Sequence, residues 1–405
     1  MRALRTPGPY YHLRVNTLTA SRDGVLEALR GRGVRAEGHP VLRDVIRIPI
    51  EGPSPLPEAE KLIVVDKFTA ESVVMGAHVY APGVVRCKGL RKGDLVAVAD
   101  EVGDVVAVGV ARMSEAEILK LRRGLAIEVT HPLYRAPPIR ETPEYREGLI
   151  YPQSLPSILT THILDPKPGE TIVDLNCGPG GKLTHAYQLV GGKAKIIGVD
   201  RSKQKIEETR RNLQRLGCEG VTLIAHDSRY LDIDYPWIRA DRCLVDPPCS
   251  ALGVTPKLYD YKSYGQIRAS AEYQRQFLKV ASRMVKPGGV VVYSVCTMTV
   301  EECEGNAKFV VERCGLRLEE QPIMLGSPGL KWVFEGAELT QRFHPHITES
   351  ATSSPDSGSP AETRRPKALK TEPPTFSCLK PRPWISRRGS RTPPRGSPPR
   401  FHLRA

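Results

Sequence analysis

The sequence predicts an α/β protein built around a doubly wound, mostly parallel sheet that follows two smaller units. Between about residues 148 and 336, apolar strands alternate with helical patterns, which is typical of such a sheet. The strand-like runs are TIVDL, AKIIGVD, GVTLIAHD, ADRCLVD and GGVVVYSVC, and the helical patterns lie around 182–190, 202–216 and 266–285. Ligands bind at the carboxyl ends of strands in these sheets, so functional residues are expected there.

The first of the smaller units covers residues 1–57. A helical stretch at Asp23–Arg30 and the strand-like run VIRIPI suit a small α+β domain, and the proline-rich EGPSPLPEAE follows as a linker. The second unit covers residues 61–130, where short strands separated by glycine and proline predict a small barrel. Its strand-like runs are KLIVV, VVRC, DLVAVAD and VVAVGVARM.

Within the second unit, Gly76–Met113 resembles the PUA domain, an RNA-binding pseudo-barrel attached to RNA-modifying enzymes. The resemblance rests on Gly-Ala-x-Val-x-x-Pro-Gly-Val, a following Lys-Gly-Asp and a late Val-Gly-x-Ala. The alternative is an unrelated β-barrel with glycine in its turns. The resemblance implies that this unit binds RNA.

Charge and composition limit the partners of the chain. The 405 residues carry a formal net charge of +14, and residues 351–405 hold 12 Lys and Arg against 3 Asp and Glu. The excess of basic residues favours a polyanion as binding partner, although the positive charge before this tail is small enough to be an ordinary solvated surface.

The N-terminus lacks a secretory signal, and no stretch reaches the roughly 18 apolar residues of a membrane span. A cytoplasmic protein without membrane contact is expected.

Nine cysteines are spread along the chain with no CxxC pair and no histidines clustered near them. This spacing predicts reduced thiols, with neither a structural zinc site nor a disulfide framework. Most are expected to be small buried hydrophobic side chains, and one or two to be reactive.

The loop after the first strand of the main sheet, DLNCGPGGK, predicts a nucleoside site. Its glycines permit a tight turn, and the next helix offers free N–H groups. A dinucleotide fingerprint requires glycine at position 183, where this chain has leucine. Asp200 ends the second strand, where it can accept both ribose hydroxyls, and Asp227 follows the third, where it can bind an adenine amino group. Either acid alone would suit a cap or turn, but with the loop they indicate S-adenosylmethionine.

The fourth strand ends in LVDPPCS. In amino-methylating enzymes, a polar residue, two prolines and an aromatic residue at this place stack the target base. Cys249 takes the aromatic position and cannot stack, so covalent chemistry is favoured. Carbon 5 of cytosine becomes nucleophilic once a thiolate adds to carbon 6. Cys296, at the end of the fifth strand in YSVCTMTVEE, is a second candidate thiol.

From YPQSLPS through VCTMTVEE, the sequence resembles the RNA 5-methylcytosine methyltransferases of the Sun family, and RVNTL at Arg14–Leu18 resembles their leading domain. Together with the PUA-like segment, residues 10–347 are similar to the transfer-RNA-directed branch and its archaeal relatives. The resemblance implies a Rossmann-like class I methyltransferase domain over 131–347, an RNA-binding role for 1–57, S-adenosylmethionine as cofactor and transfer RNA as substrate. We expect a monomer without an obligate protein partner.

Carried onto this chain, the resemblance makes Cys296 the attacking nucleophile and Cys249 the cysteine that assists product release. Asp246 holds the N3/N4 edge of the cytosine, and Lys182 lies close to the target base. The implied cofactor-binding residues are Cys177, Gly178, Pro179, Gly180, Gly181, Lys182, Asp200, Asp227 and Asp246. The cysteines expected to be structural are Cys87, Cys218, Cys243, Cys303, Cys314 and Cys378.

One departure from the family concerns the end of the main sheet. The family closes this sheet with an apolar antiparallel strand shortly after the segment that reads QRFHPHI here. This chain continues into TESATSSPDSGSPAETRRPK without a further strand pattern, so we expect residues 348–405 to be a disordered basic tail. The sheet edge beside Cys296 then lacks partners, unless another element fills the gap or the tail comes from an altered reading frame.

Two other functions stay open on the sequence alone. The altered tail is compatible with an RNA-binding protein whose methyltransferase domain is inactive. Methylation of an exocyclic base nitrogen is the other alternative, which the missing aromatic residue after Pro248 and the presence of Cys296 disfavour.

Overall fold

The N-terminal unit folds into a small α+β domain in the computed structural model, which describes residues 2–345 and 375–381. Its elements are α1 (Arg2–Arg5), β1 (Tyr10–Val15), α2 (Arg22–Gly31), β2 (Glu37–Gly38) and β3 (Val45–Pro49). Helix α2 begins after Ser21, whose hydroxyl accepts a hydrogen bond from the Gly24 N–H. The helix and the strand expected in this unit are both confirmed.

The second unit forms a six-stranded sheet with two short helices. Its elements are β4 (Lys61–Val65), α3 (Lys67–Val73), β5 (Val79–Tyr80), β6 (Val84–Arg86), β7 (Leu95–Ala99), β8 (Val105–Ala111), α4 (Glu115–Leu121) and β9 (Leu125–Pro132). The strands lie in the order β5-β9-β8-β7-β4-β6, and only β4 and β7 run parallel among these neighbouring pairs of the described chain. The four strand-like runs of the sequence all form strands.

The rest of the chain alternates helices and strands. The elements are α5 (Pro143–Arg146), β10 (Ile150–Pro152), α6 (Leu155–Leu164), β11 (Thr171–Asp174), α7 (Gly181–Leu189), β12 (Lys195–Asp200), α8 (Lys203–Arg215), β13 (Thr222–Ala225), α9 (Leu231–Asp234), β14 (Ala240–Val245), α10 (Tyr264–Met284), β15 (Val285–Ser294), α11 (Glu304–Arg313), β16 (Leu316–Leu318), β17 (Ser327–Pro328), β18 (Gln341–Arg342) and β19 (Thr375–Pro381).

The main sheet is doubly wound, as the sequence predicts. Its strand order is β13-β12-β11-β14-β15-β19-β18-β17, with β16 also paired to β19, and β11 to β15 run parallel. The chain moves outward from β11 through β12 to β13, then returns to β14 on the other side of β11. The loops after β11 and β14 therefore open a crevice at this switch point, and such a crevice is where ligands bind in doubly wound sheets.

The boundary expected at residue 131 differs from the structure. Strand β10 pairs antiparallel with β1, with Leu13 opposite Pro152, and therefore extends the N-terminal sheet. Ile139 and Ile150 belong to the apolar cluster of that same domain. A three-residue strand has no readable periodicity, and its partner lies far away along the chain, so local sequence could not reveal this pairing.

The expectation that no strand follows residue 347 was wrong. Strand β19 pairs antiparallel with β15, with Cys378 opposite Val292, and it pairs with β16 and β18 on its other side. The gap beside the strand that leads to Cys296 is thereby filled. The run TFSCLKP is short, ends in proline and lies in a Pro/Ser/Arg-rich context, which hid it from a pattern search. The rest of the expected disordered tail lies outside the described residues.

The methyltransferase-like domain also contacts the second unit directly. Leu258 is buried in the apolar cluster of that unit, and the Tyr259 hydroxyl donates a hydrogen bond of 2.7 Å to Glu101. Within the described ranges, none of the helices has the length and apolar character required to cross a membrane.

Candidate active site

Two cavities lie side by side at the switch point of the main sheet. The cofactor cavity has a volume of about 280 Å³, and the cysteine cavity has a volume of about 380 Å³. The cofactor cavity is lined by Tyr151, Pro152, Gln153, Ser157, Asp174, Asn176, Cys177, Gly178, Pro179, Gly181, Lys182 and Asp246. The cysteine cavity shares Ser157, Lys182 and Asp246 with the cofactor cavity, and Cys296 is among its other lining residues.

The glycine loop after β11 has little space for side chains. A Cβ at Gly178 would come within 2.5 Å of the Cβ of Lys205, which only a shift of the backbone could relieve. Gly180 has φ +104, a left-handed conformation that favours glycine, and it caps the N-terminus of α7. The predicted loop is therefore a tight turn that leads free N–H groups toward the cofactor cavity.

The strand-end acids of the predicted cofactor site have different surroundings. Asp200 is almost fully buried, and its carboxylate accepts hydrogen bonds from the N–H groups of Gly178 (3.3 Å) and Ser202 (2.9 Å). Asp227 instead binds the guanidinium of Arg229 at 2.6 Å, and this pairing lowers the pKa of Asp227 below its ordinary value. Asp200 contacts the glycine loop, whereas the carboxylate of Asp227 is largely used by its own neighbour.

Asp174 is a cavity residue that was not among the predicted site residues. It ends β11 directly before the glycine loop and is buried, and burial raises its pKa to about 7. The Asn176 N–H donates a 3.1 Å hydrogen bond to it. The sequence shows that Asp174 ends the first strand of the main sheet, but it does not show that the side chain is buried.

Lys182 and Asp246 form a close ion pair where the two cavities meet. Lys182 comes from the first turn of α7, and Asp246 directly follows β14. Burial by itself would lower the pKa of Lys182, but the attraction of Asp246 outweighs it, so the pKa is raised above its ordinary value. The lysine therefore stays charged beside the cysteine cavity.

Cys249 and Cys296 face each other with their sulfurs 3.2 Å apart. The hydrogen bond from the Cys249 thiol holds the pKa of Cys296 below its ordinary value, and the same contact raises the pKa of Cys249. Cys296 is exposed to solvent, whereas Cys249 is half-buried. The pair therefore has one thiol inclined to ionise and one inclined to keep its proton, which is the arrangement of a nucleophile and a proton donor.

The other cysteines have structural surroundings wherever their side chains are described. Cys314 is half-buried. The buried ones are Cys87, Cys218, Cys243 and Cys303. Among the predicted cofactor residues, Cys177 is buried as well, and burial raises the pKa of its thiol. Its side chain is thus a packing group beneath the glycine loop.

The N-terminal domain also reaches the site. Arg14 of the RVNTL motif is fully buried, and its guanidinium donates hydrogen bonds of 2.9 Å to Gln153 and to the Thr184 hydroxyl. Asn16 of the same motif binds the carbonyl oxygens of Gly148 and Leu216, each at 2.9 Å. The motif therefore connects the N-terminal domain to the helix that carries Lys182.

One cluster with metal-ligand chemistry lies in the part of the chain that the structure describes. His162 and His185 each place Nε2 2.8 Å from one oxygen of Asp44. Burial lowers the pKa of His185 to about 3, so this imidazole is neutral and donates one N–H. Both carboxylate oxygens are already used, and hydrogen bonding accounts for the cluster.

Comparisons with known proteins identify the domains of this chain. The family described as 16S rRNA methyltransferase RsmB/F matches residues 161–350, and the PUA domain matches residues 61–133. The chain is 41% identical to the tRNA (cytosine(72)-C(5))-methyltransferase of Pyrococcus horikoshii, across 85% of this chain and 88% of that protein. It is 30% identical to tRNA (cytosine(72)-C(5))-methyltransferase NSUN6 of Homo sapiens, across 91% and 87% of the two chains.

A solved structure is similar over nearly the whole chain. The crystal structure of NSun6 from Pyrococcus horikoshii with SFG, an S-adenosylmethionine analogue, has a TM-score of 0.82 and 38% identity. The similarity covers 94% of this chain and 92% of that one. All three units of the present chain therefore have counterparts in one known arrangement.

Proposed function

This chain belongs to the family of RNA cytosine-C5 methyltransferases, and from that premise we propose that it methylates carbon 5 of a cytosine in transfer RNA. The observation that supports this best is the 3.2 Å contact between Cys249 and Cys296 beside the Lys182–Asp246 ion pair. Two neighbouring thiols with opposite pKa shifts suit a reaction in which one sulfur attacks and the other assists release.

The residues of the cofactor cavity fit S-adenosylmethionine. We assign the ribose hydroxyls to Asp200, which already lies against the glycine loop, and the methionine part to the Cys177–Gly181 loop. Asp174 offers a buried carboxyl group that would ionise beside a cationic ligand. Asp227 contributes less to adenine binding in this assignment, because Arg229 occupies its carboxylate. When bound, the cofactor supplies a methyl group from its sulfonium.

Catalysis begins with Cys296. Its thiolate adds to carbon 6 of the cytosine and forms a carbon–sulfur bond, while the electrons of the C5–C6 double bond move onto the ring and make carbon 5 nucleophilic. The Cys249 thiol favours this start because its hydrogen bond stabilises the attacking thiolate. Asp246 and Lys182 line the cavity beside Cys296, where they can bind the N3/N4 edge of the base and stabilise charge on the ring.

Product release breaks the bond between Cys296 and carbon 6 of the cytosine. Once carbon 5 carries the methyl group, its proton must leave to a base, its electron pair restores the C5–C6 double bond, and the carbon–sulfur bond breaks to return the Cys296 thiolate. We assign Cys249 to this elimination, with its thiolate as the base, because its sulfur lies 3.2 Å from the Cys296 sulfur, which no longer needs the Cys249 proton once it is bound to carbon 6. The RNA itself would be positioned by the PUA and N-terminal domains, which adjoin the site through Leu258 and Arg14.

Two cysteine variants test the chemistry on one denaturing gel with transfer RNA and S-adenosylmethionine. Cys296→Ala should neither methylate RNA nor become attached to it. Cys249→Ala should attack through Cys296, transfer the methyl group and stall as a covalent protein–RNA complex. The reverse pattern would exchange the two roles. Folding and cofactor binding of each variant, measured separately, are the controls.

The same gel distinguishes the alternative functions. An exocyclic-amine methyltransferase needs no thiol and would give no adduct with either variant while both stayed active. An inactive RNA-binding protein would give neither adduct nor product, even with the intact chain. The relatives act on cytosine 72, so a transfer RNA transcript with cytosine 72 replaced by uracil should lose methylation if this chain shares their target.

A further inference from the structure

We propose that Glu302 is a positioning residue that keeps the two active-site cysteines next to each other, an inference that rests on the roles proposed for Cys249 and Cys296. Glu302 lies between the loop of Cys296 and helix α11, and its side chain is fully buried. A buried carboxylate is costly unless it is hydrogen-bonded, so the groups that bind it are held in place.

One carboxylate oxygen of Glu302 binds the loop of Cys249. The backbone N–H of Ser250, the residue after Cys249, donates a 2.9 Å hydrogen bond to it. The same oxygen accepts a 2.7 Å bond from the side-chain amide of Gln274, which also binds the carbonyl oxygen of Pro248 at 3.1 Å. The chain is thereby fixed on both sides of Cys249.

The other carboxylate oxygen binds the loop of Cys296. It accepts hydrogen bonds from the hydroxyls of Thr299 (2.9 Å) and Thr297 (3.3 Å), and Thr297 directly follows Cys296. The hydroxyls of Thr297 and Ser250 lie 2.5 Å apart and close the ring of contacts. One carboxylate therefore joins the residues that follow each of the two cysteines.

The Cys249 loop needs such a connection. Ala251 has φ +57, a left-handed conformation that is unfavourable for residues other than glycine. The backbone of this loop meets the Cys296 strand again where the Gly253 N–H donates a 3.0 Å bond to the Cys296 carbonyl. Without Glu302, the strained loop would lose its bond at Ser250, and the bonds at Pro248 and Gly253 would hold the Cys249 sulfur against Cys296 less tightly.

Glu302 lines neither the cofactor cavity nor the cysteine cavity. Its removal should therefore leave cofactor affinity and the KM for transfer RNA close to their original values. The turnover number should fall, because attack and release both depend on the thiol pair. A residue that only stabilised the fold would lower the melting temperature without this separation of kcat from KM.

The test measures thiol proximity without any RNA. Dibromobimane becomes fluorescent when it links two neighbouring thiols, and Cys249→Ala gives the background from other cysteines. Glu302→Ala should slow this cross-linking on the order of tenfold, the effect of losing buried hydrogen bonds. Glu302→Gln should be closer to the unaltered protein, because its amide oxygen can accept from Ser250 and its NH₂ can donate to the threonine hydroxyls.

Glu304→Ala is the matched control. Glu304 is equally buried, but its hydrogen bonds within the described residues go to Arg342 and the Leu330 N–H, neither of which is adjacent to either cysteine. Glu304→Ala should lower stability and keep the cross-linking rate. Should either glutamate variant fail to fold, Thr297→Val removes one hydroxyl of the ring, and Thr160→Val removes a buried hydroxyl of α6 that binds Pro156. Only Thr297→Val should then slow cross-linking.

Cross-linking at the original rate in Glu302→Ala, or in Thr297→Val where that variant is used, would overturn the inference and leave the proposed function untouched. Equal slowing in the Glu304 or Thr160 control would overturn it as well. If instead Cys296→Ala stayed active while cross-linking depended on Glu302, the cysteine chemistry would be wrong and the positioning contact right.

Discussion

The cofactor cavity and the cysteine cavity are neighbours, but they are assembled in different ways. Much of the cofactor cavity comes from one continuous segment, Asp174–Lys182, whose glycines bring the backbone close to any ligand. The cysteine cavity depends on two loops 47 residues apart, joined through buried side chains. The lining of the first cavity is therefore largely local in sequence, whereas the two thiols are brought together by long-range contacts.

The two cavities also differ in their electrostatics. Asp174 lines the cofactor cavity, and Asp200 lies behind its wall at Gly178, so two carboxyl groups make this region acidic, which suits a cationic ligand. The cysteine cavity is lined by Cys296, whose sulfur contacts that of Cys249, and by the ion pair of Lys182 and Asp246, which also borders the cofactor cavity. Changes at the shared ion pair should affect chemistry, and changes at the acids should affect cofactor binding.

The largest effect is expected for Lys182→Met, which removes the charge at the junction but keeps an unbranched side chain. Turnover should fall on the order of 10²–10³-fold because the ring loses a positive partner while charge develops. The hydrogen bond from Cys249 is the main cause of the lowered pKa of Cys296, and Lys182 adds to it, so alkylation of Cys296 should also require higher pH. Stopped-flow alkylation and single-turnover methylation measure the two effects.

Lys205→Met is the control for Lys182→Met. Lys205, in helix α8, lies against Gly178 of the glycine loop, but it is exposed, and the lysine that pairs with Asp246 is Lys182. It should keep the original turnover. An equal loss of turnover in both variants would mean that any positive charge near the glycine loop supports turnover. The ion pair with Asp246 would then have no special role.

Asp200→Ala should weaken cofactor binding by about 1.5–3 kcal/mol because the ribose loses a charge-assisted acceptor. Titration calorimetry with S-adenosylmethionine measures this, and the dissociation constant for transfer RNA should stay the same. Unchanged cofactor affinity would remove the ribose role of Asp200.

Asp174 should make cofactor binding depend on pH. Its pKa is raised to about 7, so it is protonated below that pH and must lose its proton to face a cationic ligand. Affinity should therefore rise by up to about tenfold per pH unit on approach to this pKa and level off above it. Calorimetry across this range should show the rise in the original chain and a flat profile in Asp174→Asn. If the affinity of both proteins were independent of pH, the positive charge of the ligand would not lie near Asp174.

The smallest effect is expected for Asp227→Ala. Because Arg229 pairs with this carboxylate near the surface, its loss should change cofactor affinity by only about two- to fivefold. The comparison with Asp200→Ala is direct, since both acids end or follow strands of the same sheet. A loss as large as that of Asp200→Ala would mean that Arg229 releases Asp227 when the cofactor binds.

Much of the site could be predicted because the ends of apolar strands can be recognised in the sequence. Asp200, Asp246 and Cys296 each end or follow an apolar strand, and parallel strands place their carboxyl ends at one edge. Asp174 occupies the same kind of position, but nothing in its neighbours distinguished a buried carboxyl group from a turn residue. Glu302 was visible only as part of an acidic run, and such runs are usually solvated.

Local sequence determined the fold class, the glycine loop and the order of the strands along the chain, because hydrophobic period and turn chemistry act over a few residues. Tertiary structure alone decided which thiol has the lowered pKa, since that depends on the contact between Cys249 and Cys296 and on the charge of Lys182. It also decided the pairing of β10 with β1 and of β19 with β15. Backbone hydrogen bonds tolerate almost any side chain, so pairing between distant segments leaves little trace in the sequence.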